Sequence, residues 1–372
     1  YVWLDKSEEL GDISNESLSI SVDCTASLQK EPTAAETIIS LYTNASKTPA
    51  TNNGKEYNTA PSVSLMNDRL GGTTTDLDGG NIRYYGASPN NYIYFNCSDY
   101  SNQTSSTCET WRIIGVFDGK LKLIRNESIG NYSWDNKNKS TGAESNYGKN
   151  DWTTARLMKL LNPSNYYIND NNDKDSEGNY LGYSLYYNSA PGKCYSGENN
   201  ATVDCDFTST GIKNDITRNM IAETTWNIGG WNSSSVYPNQ IYEYERGTTV
   251  YTGRPKTPWT GKIALAYPSD YGYAADLNQC KDKTLYDYDN STCTSNNWMK
   301  SIITNNGSYS GWLLTPYSSY SNGVWRVSWS GTVYDSNNAD SAIGAVPVLS
   351  LSSELGIESG DGSSSNPYKL SA

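Results

Sequence analysis

The dipeptide Asp118-Gly119 lies between two apolar-rich runs, Trp111-Arg-Ile-Ile-Gly-Val-Phe117 and Lys120-Leu-Lys-Leu-Ile-Arg125. Asp and Gly tolerate the positive φ of the two-residue turns whose twist matches that of paired antiparallel strands. The alternation after the turn is that of a strand with one buried face. A chain containing this hairpin folds around an antiparallel sheet. Further short strands are predicted at Tyr92-Ile-Tyr-Phe95 and Lys262-Ile-Ala-Leu-Ala-Tyr267.

Two helices are expected beside the sheet. One runs from Trp152 to Leu161, capped by Asn150 or Asp151 and stopped by Asn162-Pro163; the other spans about Ile212 to Ile228 and ends at Gly229-Gly230. A short helix is expected around Trp298 to Ile303. The fold class is therefore α+β, with antiparallel sheets, two main helices and long loops. The core must be built largely from Tyr and Trp, which number 31 and 11 against 3 Phe. Each buried Trp N–H or Tyr hydroxyl then needs a hydrogen-bond partner.

Residues 1–58 read as an N-terminal approach segment, a stalk or a docking helix, with one helix from Pro32 to about Tyr42. The run SKTPATNNGKEYNTAPS reads as a linker. The main domain is assigned to 80–351. Residues 352–372 read as a flexible tail whose Pro-Tyr-Lys-Leu end adds an edge strand.

Six of the seven cysteines form local couples, Cys97/Cys108, Cys194/Cys205 and Cys280/Cys293, spaced 11, 11 and 13 apart in polar, turn-rich segments. Three disulfides are the economical reading, and they imply an extracellular or cell-surface location. Cys24 is left over. The chain opens on Tyr1 instead of Met, which leaves room for a removed export signal, or for membrane or cell-wall anchoring through a segment upstream of Tyr1.

The net charge of −12 argues against nucleic acid as a partner. Histidine is absent, so His-dependent triads and the commonest zinc ligand are excluded. No cofactor or metal site is assigned. The loop carrying Asp173, Asp175 and Glu177 before Gly178 has calcium-loop spacing, but the twelfth position counted from Asp173 is Ser184, not the Glu such a loop needs. It reads as a solvated loop.

The stretch 311–351, GWLLTPYSSYSNGVWRVSWSGTVYDSNNADSAIGAVPVLSL, alternates strand-length apolar blocks with polar, aromatic clusters where loops fall. Tyr and Trp offer contact area with few rotors, and Ser, Asn and Gly offer adaptable hydrogen bonds, as in antibody paratopes. The composition fits a recognition surface and an ordinary wet loop region about equally. The candidate ligand-binding residues are Tyr317, Ser319, Tyr320, Asn322, Arg326, Ser328, Tyr334, Asn337, Asn338 and Asp340, with Trp325 and Trp329 beside them. Strand alternation groups Trp325, Val327 and Trp329 on one face and Val324, Arg326 and Ser328 on the other, and one of these faces lines the core.

The segments NYIYFNC, TWRIIGVFDGKLKLIR, KIALAYPSDYGYA, GWLLTP and AIGAVPVLSL together resemble secreted bacterial proteins with a C-type-lectin-like domain, across roughly 80–351. This fold is shared with formylglycine-generating enzymes. The last forty residues are similar to the variable proteins of diversity-generating retroelements, which implies that Tyr317–Asn322, Ser328–Ser330 and Tyr334–Ser341 are the diversified, ligand-facing positions. Gly344-Ala345-Val346-Pro347-Val348 departs from the usual G-V-R-P-V closing motif in lacking its Arg. The last cysteine is Cys293, so the reactive C-terminal cysteines of the formylglycine-generating enzymes have no counterpart. The sugar-binding Glu-Pro-Asn, Gln-Pro-Asp and Trp-Asn-Asp patterns of true lectins are also missing.

The resulting expectation is a non-enzymatic protein, an adhesin or receptor, binding a protein or glycan through its C-terminal face. The alternatives are a structural pilus or surface-layer subunit and a glycoside hydrolase using two of Asp118, Asp151, Asp270 and Asp276. Any acidic chain supplies such carboxylates.

Overall fold

A computed structural model of the chain describes residues 31–71, 79–135, 147–163, 184–186, 192–194, 203–247, 249–251, 254–255 and 258–371. The hairpin forms as its sequence dictates. Asp118 and Gly119 take φ of 49° and 71°, and Phe117 pairs with Lys120 at the turn.

In chain order the first elements are α1 (Ala34–Asn44), β1 (Thr48–Asn52), β2 (Lys55–Ala60), β3 (Leu65–Asn67), β4 (Ile82–Tyr84), β5 (Tyr92–Phe95), β6 (Glu109–Phe117), β7 (Lys120–Arg125) and β8 (Asn131–Ser133). Then come α2 (Arg156–Leu161), β9 (Gly192–Cys194), β10 (Val203–Cys205), α3 (Asp215–Met220), β11 (Thr224–Trp226), α4 (Pro238–Glu245), β12 (Thr249–Tyr251), β13 (Arg254–Pro255), β14 (Trp259–Gly261) and β15 (Ile263–Ala264). The last are α5 (Pro268–Tyr273), α6 (Ser291–Ser295), α7 (Trp298–Ile303), β16 (Gly311–Pro316), β17 (Val324–Val327), β18 (Val333–Tyr334), β19 (Ala342–Gly344), β20 (Val348–Ser350), β21 (Gly356–Ser359) and β22 (Lys369–Ser371).

The architecture is mixed α+β with mostly antiparallel sheets and short helices. Among the described residues the largest sheet has nine strands, in the order β1-β2-β3-β4-β6-β7-β20-β15 with β5 also on β6. The nine-residue β6 makes this possible, since β4 pairs near its end (Ile82↔Val116) and β5 near its start (Tyr92↔Arg112). A second sheet of five strands, β18-β17-β16-β19-β8, carries most of the C-terminal stretch. Strand β20 ties that stretch back to the large sheet through Leu349↔Leu123.

The expected dependence on Trp and Tyr holds in the core. Trp134, Trp152 and Trp259 pack in a row with ring centroids 5.1 and 6.0 Å apart. The ring N–H groups of Trp134, Trp298, Trp312 and Trp325 donate to the carbonyls of Leu313, Tyr84, Tyr132 and Trp231. Beneath the large sheet lies a buried ionic chain. Arg83 pairs with Asp68 at 2.6 Å and with Asp270 at 3.1 Å, and Asp270 also pairs with Lys122.

Several expectations are revised. The run read as a linker, 46–62, contains the β1–β2 hairpin, turned at Asn53 and Gly54 with φ of 47° and 68°. Pro32–Ala372 form one compact unit, which includes α1 and this hairpin. The helix placed at 152–161 is only α2. Its N-cap is Ala155, because Asn150 is engaged elsewhere and Trp152 is packed between rings. The helix placed at 212–228 stops at Met220, and the β-branched Thr224 and Thr225 start β11, paired with β14. Ile216, in α3, is 53% exposed. Beyond β11 lies α4, and the strand expected at 262–267 shortens to β15. The tail is a hairpin, β21–β22, docked by Ala34 N donating to Leu355 O at 2.6 Å and Tyr94 N to Tyr368 O at 2.9 Å.

Cys97–Cys108 and Cys280–Cys293 are disulfide-bonded as expected. Cys205 is bonded as well, and Val203 lies opposite Cys194 in the β9–β10 ladder; the Cys194 side chain is outside the described residues. Cys24, Asp173, Asp175 and Glu177 also fall outside them.

Candidate ligand-binding face

The apolar blocks of 311–351 become β16, β17, β18 and β20, as their pattern predicts, and the polar clusters become the loops 317–323, 328–332 and 335–341. Strand β17 is buried on both sides, with Val324, Trp325 and Val327 inaccessible. Trp325 is therefore core. Its indole N–H donates to Trp231 O at 3.2 Å, and the Trp231 ring stacks on Tyr244 at 3.6 Å.

The loops are held through their backbones. Tyr317 N donates to Gly323 O at 2.9 Å and Ser318 N to Trp231 O at 3.1 Å. Asn150 lies beneath, its Nδ2 within 2.9, 2.8 and 2.7 Å of the carbonyls of Tyr317, Tyr320 and Gly323, while its backbone N donates to Ser321 O. The loop 335–341 lies alongside, with Val324 and Asn337 exchanging both backbone bonds and Ala339 N donating to Asn322 O. Asp335 accepts from Ser234 N at 2.8 Å, and Asp340 N donates to Tyr147 O at 3.2 Å. With the backbones pinned in this way, most of the loop side chains remain at least partly exposed.

Tyr320 and Trp329 are 60% and 65% exposed, and Tyr334 is partly so. The Tyr317 and Tyr320 rings lie 5.4 Å apart. Arg326 is half-buried over the Tyr334 ring at 4.8 Å and donates from Nη1 to Ser310 Oγ at 2.7 Å, leaving its buried Nε without a partner. Burial lowers its pKa, with Tyr334 acting in the opposite direction. Ser319, Asn322, Asn337 and Asp340 are partly exposed and Asn338 is exposed, with Asn322 Nδ2 donating to Asn338 Oδ1 at 2.9 Å.

Ser328 is the exception among the candidates. It is 3% exposed, its N donates to Thr332 O and its Oγ meets Ser330 Oγ at 2.8 Å, so it shapes the turn that presents Trp329. The alternation breaks there because β17 ends at Val327 and the chain turns.

Two residues join the face that the sequence did not mark. Tyr286 is 47% exposed and meets Tyr334 edge to face at 5.8 Å; it lies inside the loop closed by Cys280–Cys293. Tyr147 is 52% exposed beside Asp340. No local pattern could have revealed either, since their neighbours are distant in sequence.

The four Asp residues considered for hydrolysis are occupied separately. Asp270 is buried in the ionic chain, Asp118 forms a hairpin turn, Asp151 accepts from Thr153 and Asp276 accepts from Asn278 N.

No protein-family model, curated protein or solved structure matches the chain.

Proposed function

We propose that the chain is a non-enzymatic, C-type-lectin-like binding protein, extracellular or displayed at a cell surface, that grips a protein or glycan with the face built from 311–351. The observation that carries this reading is the convergence of exposed rings. Of the six large hydrophobic side chains exposed among the described residues, Tyr147, Tyr286, Tyr320, Trp329 and Tyr334 lie on these loops or against them. Tyr and Trp dominate interface energies, and pinned loops avoid the entropic cost of ordering on contact. The Cys97–Cys108 and Cys280–Cys293 disulfides support an oxidising location.

The test is simultaneous alanine substitution of Tyr317, Tyr320 and Tyr334, with ligands taken from a glycan and protein array probed with the wild-type chain. Unchanged thermal unfolding with lost binding is expected. Undiminished binding by the well-folded triple variant would remove the assignment.

A further inference from the structure

Away from that face, Arg112 on β6 is 5% exposed and has no carboxylate partner among the described residues. Its Nε donates to Asn91 Oδ1 at 2.5 Å and its Nη2 to Pro89 O at 3.4 Å. Its guanidinium lies 3.7 Å from the Tyr92 ring centroid and 4.9 Å from that of Trp298. Arg83, Lys122 and Arg125, buried in the same sheet, each pair with a carboxylate. A buried cation left without a counter-charge is the expensive arrangement. Desolvation accordingly lowers the Arg112 pKa to about 10. Its Nη1 has no hydrogen-bond partner among the described residues.

Arg112 lines a cleft of about 510 Å³ between the segment after β7 and the end of α7. Asn126, Asn305 and Asn306 line it too, and their carboxamides make no hydrogen bond within the described residues. Tyr92 and Tyr309 add rings to the wall. Among the described residues lining it, the one carboxylate, Glu127, is exposed and makes no ion pair with Arg112. Each carboxamide offers both a donor and an acceptor, which matches a hydroxyl, and a largely polar wall suits a hydrated ligand better than an apolar one.

We propose that this cleft binds an acidic saccharide, its carboxylate meeting Arg112 Nη1 and its hydroxyls meeting the carboxamides of Asn126, Asn305 and Asn306. This site is separate from the aromatic face. Among the described residues the two meet at the segment after α7, where Ser310 accepts from Arg326, and either assignment can fail without the other.

The experiment is calorimetric titration of the full chain with methyl β-D-glucuronide, methyl β-D-glucoside and inorganic sulfate. Arg112→Gln also strips the contacts to Asn91 and Pro89, so the decisive variant is Asn305→Asp with Asn306→Asp, which places negative charge on the exposed wall and leaves Arg112 in place. The glucuronide is expected to bind at least about tenfold more tightly than the glucoside, and the double variant to lose at least about tenfold, the scale of one charge-assisted hydrogen bond. Equal binding of the two glycosides, no glucuronide binding, or binding unaffected in the double variant would overturn the proposal. Sulfate binding as tight as that of the glucuronide would overturn the saccharide assignment.

Discussion

Asn150 and Gly323, 173 residues apart, are joined by a hydrogen bond of 2.7 Å from the carboxamide of the first to the carbonyl of the second. The same carboxamide reaches the Tyr317 and Tyr320 carbonyls, so one side chain fixes the loop that carries the candidate contacts Tyr317, Ser319, Tyr320 and Asn322. Asn150→Ala leaves these carbonyls short of a buried donor and is expected to cost about 1–3 kcal/mol. Amide exchange at Tyr317, whose N–H bonds Gly323 O, should accelerate more than that of β6. Equal protection at both sites would argue that the loop is held by other means.

Trp325 and Trp329 lie on the same short run yet belong to different parts of the molecule. Trp325→Ala opens a void in the core and should destabilise the fold by about 3–5 kcal/mol in chemical denaturation. Trp329→Ala should leave stability within about 0.5 kcal/mol. If it sits at the centre of the contact, it weakens ligand binding by about 2 kcal/mol or more. A destabilised Trp329→Ala would show that the ring packs instead of facing solvent.

Glu245 is buried, accepting from Ser269 N and Oγ at 2.8 and 2.6 Å, and burial pushes its carboxyl up from 4.5 to about 7 against the opposing pull of Arg246 and Ser269. Between these two values the folded chain holds a proton that the unfolded chain has lost. The group therefore adds stability at acid pH that declines as pH rises toward about 7 and is then gone, a change of about 3 kcal/mol at about 1.4 kcal/mol per pH unit. Asp270 acts in the opposite sense. Burial raises it, but Lys122 and Arg83 hold it below its ordinary value, so its contribution is present above that value and lost in stronger acid. Glu245→Gln should flatten the decline between about pH 5 and 7 and raise stability at pH 8; a wild-type slope in the variant would exclude Glu245 as its source.

The Cys280–Cys293 bridge closes the loop that carries Tyr286 against Tyr334. Replacing both cysteines by alanine should cost about 3 kcal/mol on the chain-entropy scale. It should also lower affinity at the aromatic face, whereas the matching Cys97/Cys108 replacement should cost similar stability with affinity intact. Identical binding losses in the two variants would point to a global effect.

What the sequence could reveal was local. Asp118-Gly119 marked its hairpin, the blocks of 311–351 marked their strands, and neighbouring cysteines marked two bridges. Other local signals were present but outweighed. Asn53-Gly54 is as good a hairpin turn as Asp118-Gly119, yet Pro, Thr and Asn around it read as linker. Thr33 and Glu36 form a capping box at the start of α1, with bonds of 3.2 and 2.7 Å, readable from their spacing. Asn150 beneath the loop, Tyr286 beside Tyr334 and Arg112 without a counter-charge depend on contacts between distant segments, which no window of sequence contains. Ser328 had the composition of a contact residue and the burial of a structural one.

The two bridges join cysteines only 11 and 13 positions apart. In an oxidising medium each thiol would meet its partner within a short loop, at a local concentration no distant cysteine can match. Neither bridge then needs a distant part of the chain to bring its cysteines together. Nearness along the chain would thus favour these pairings over exchange with a distant cysteine.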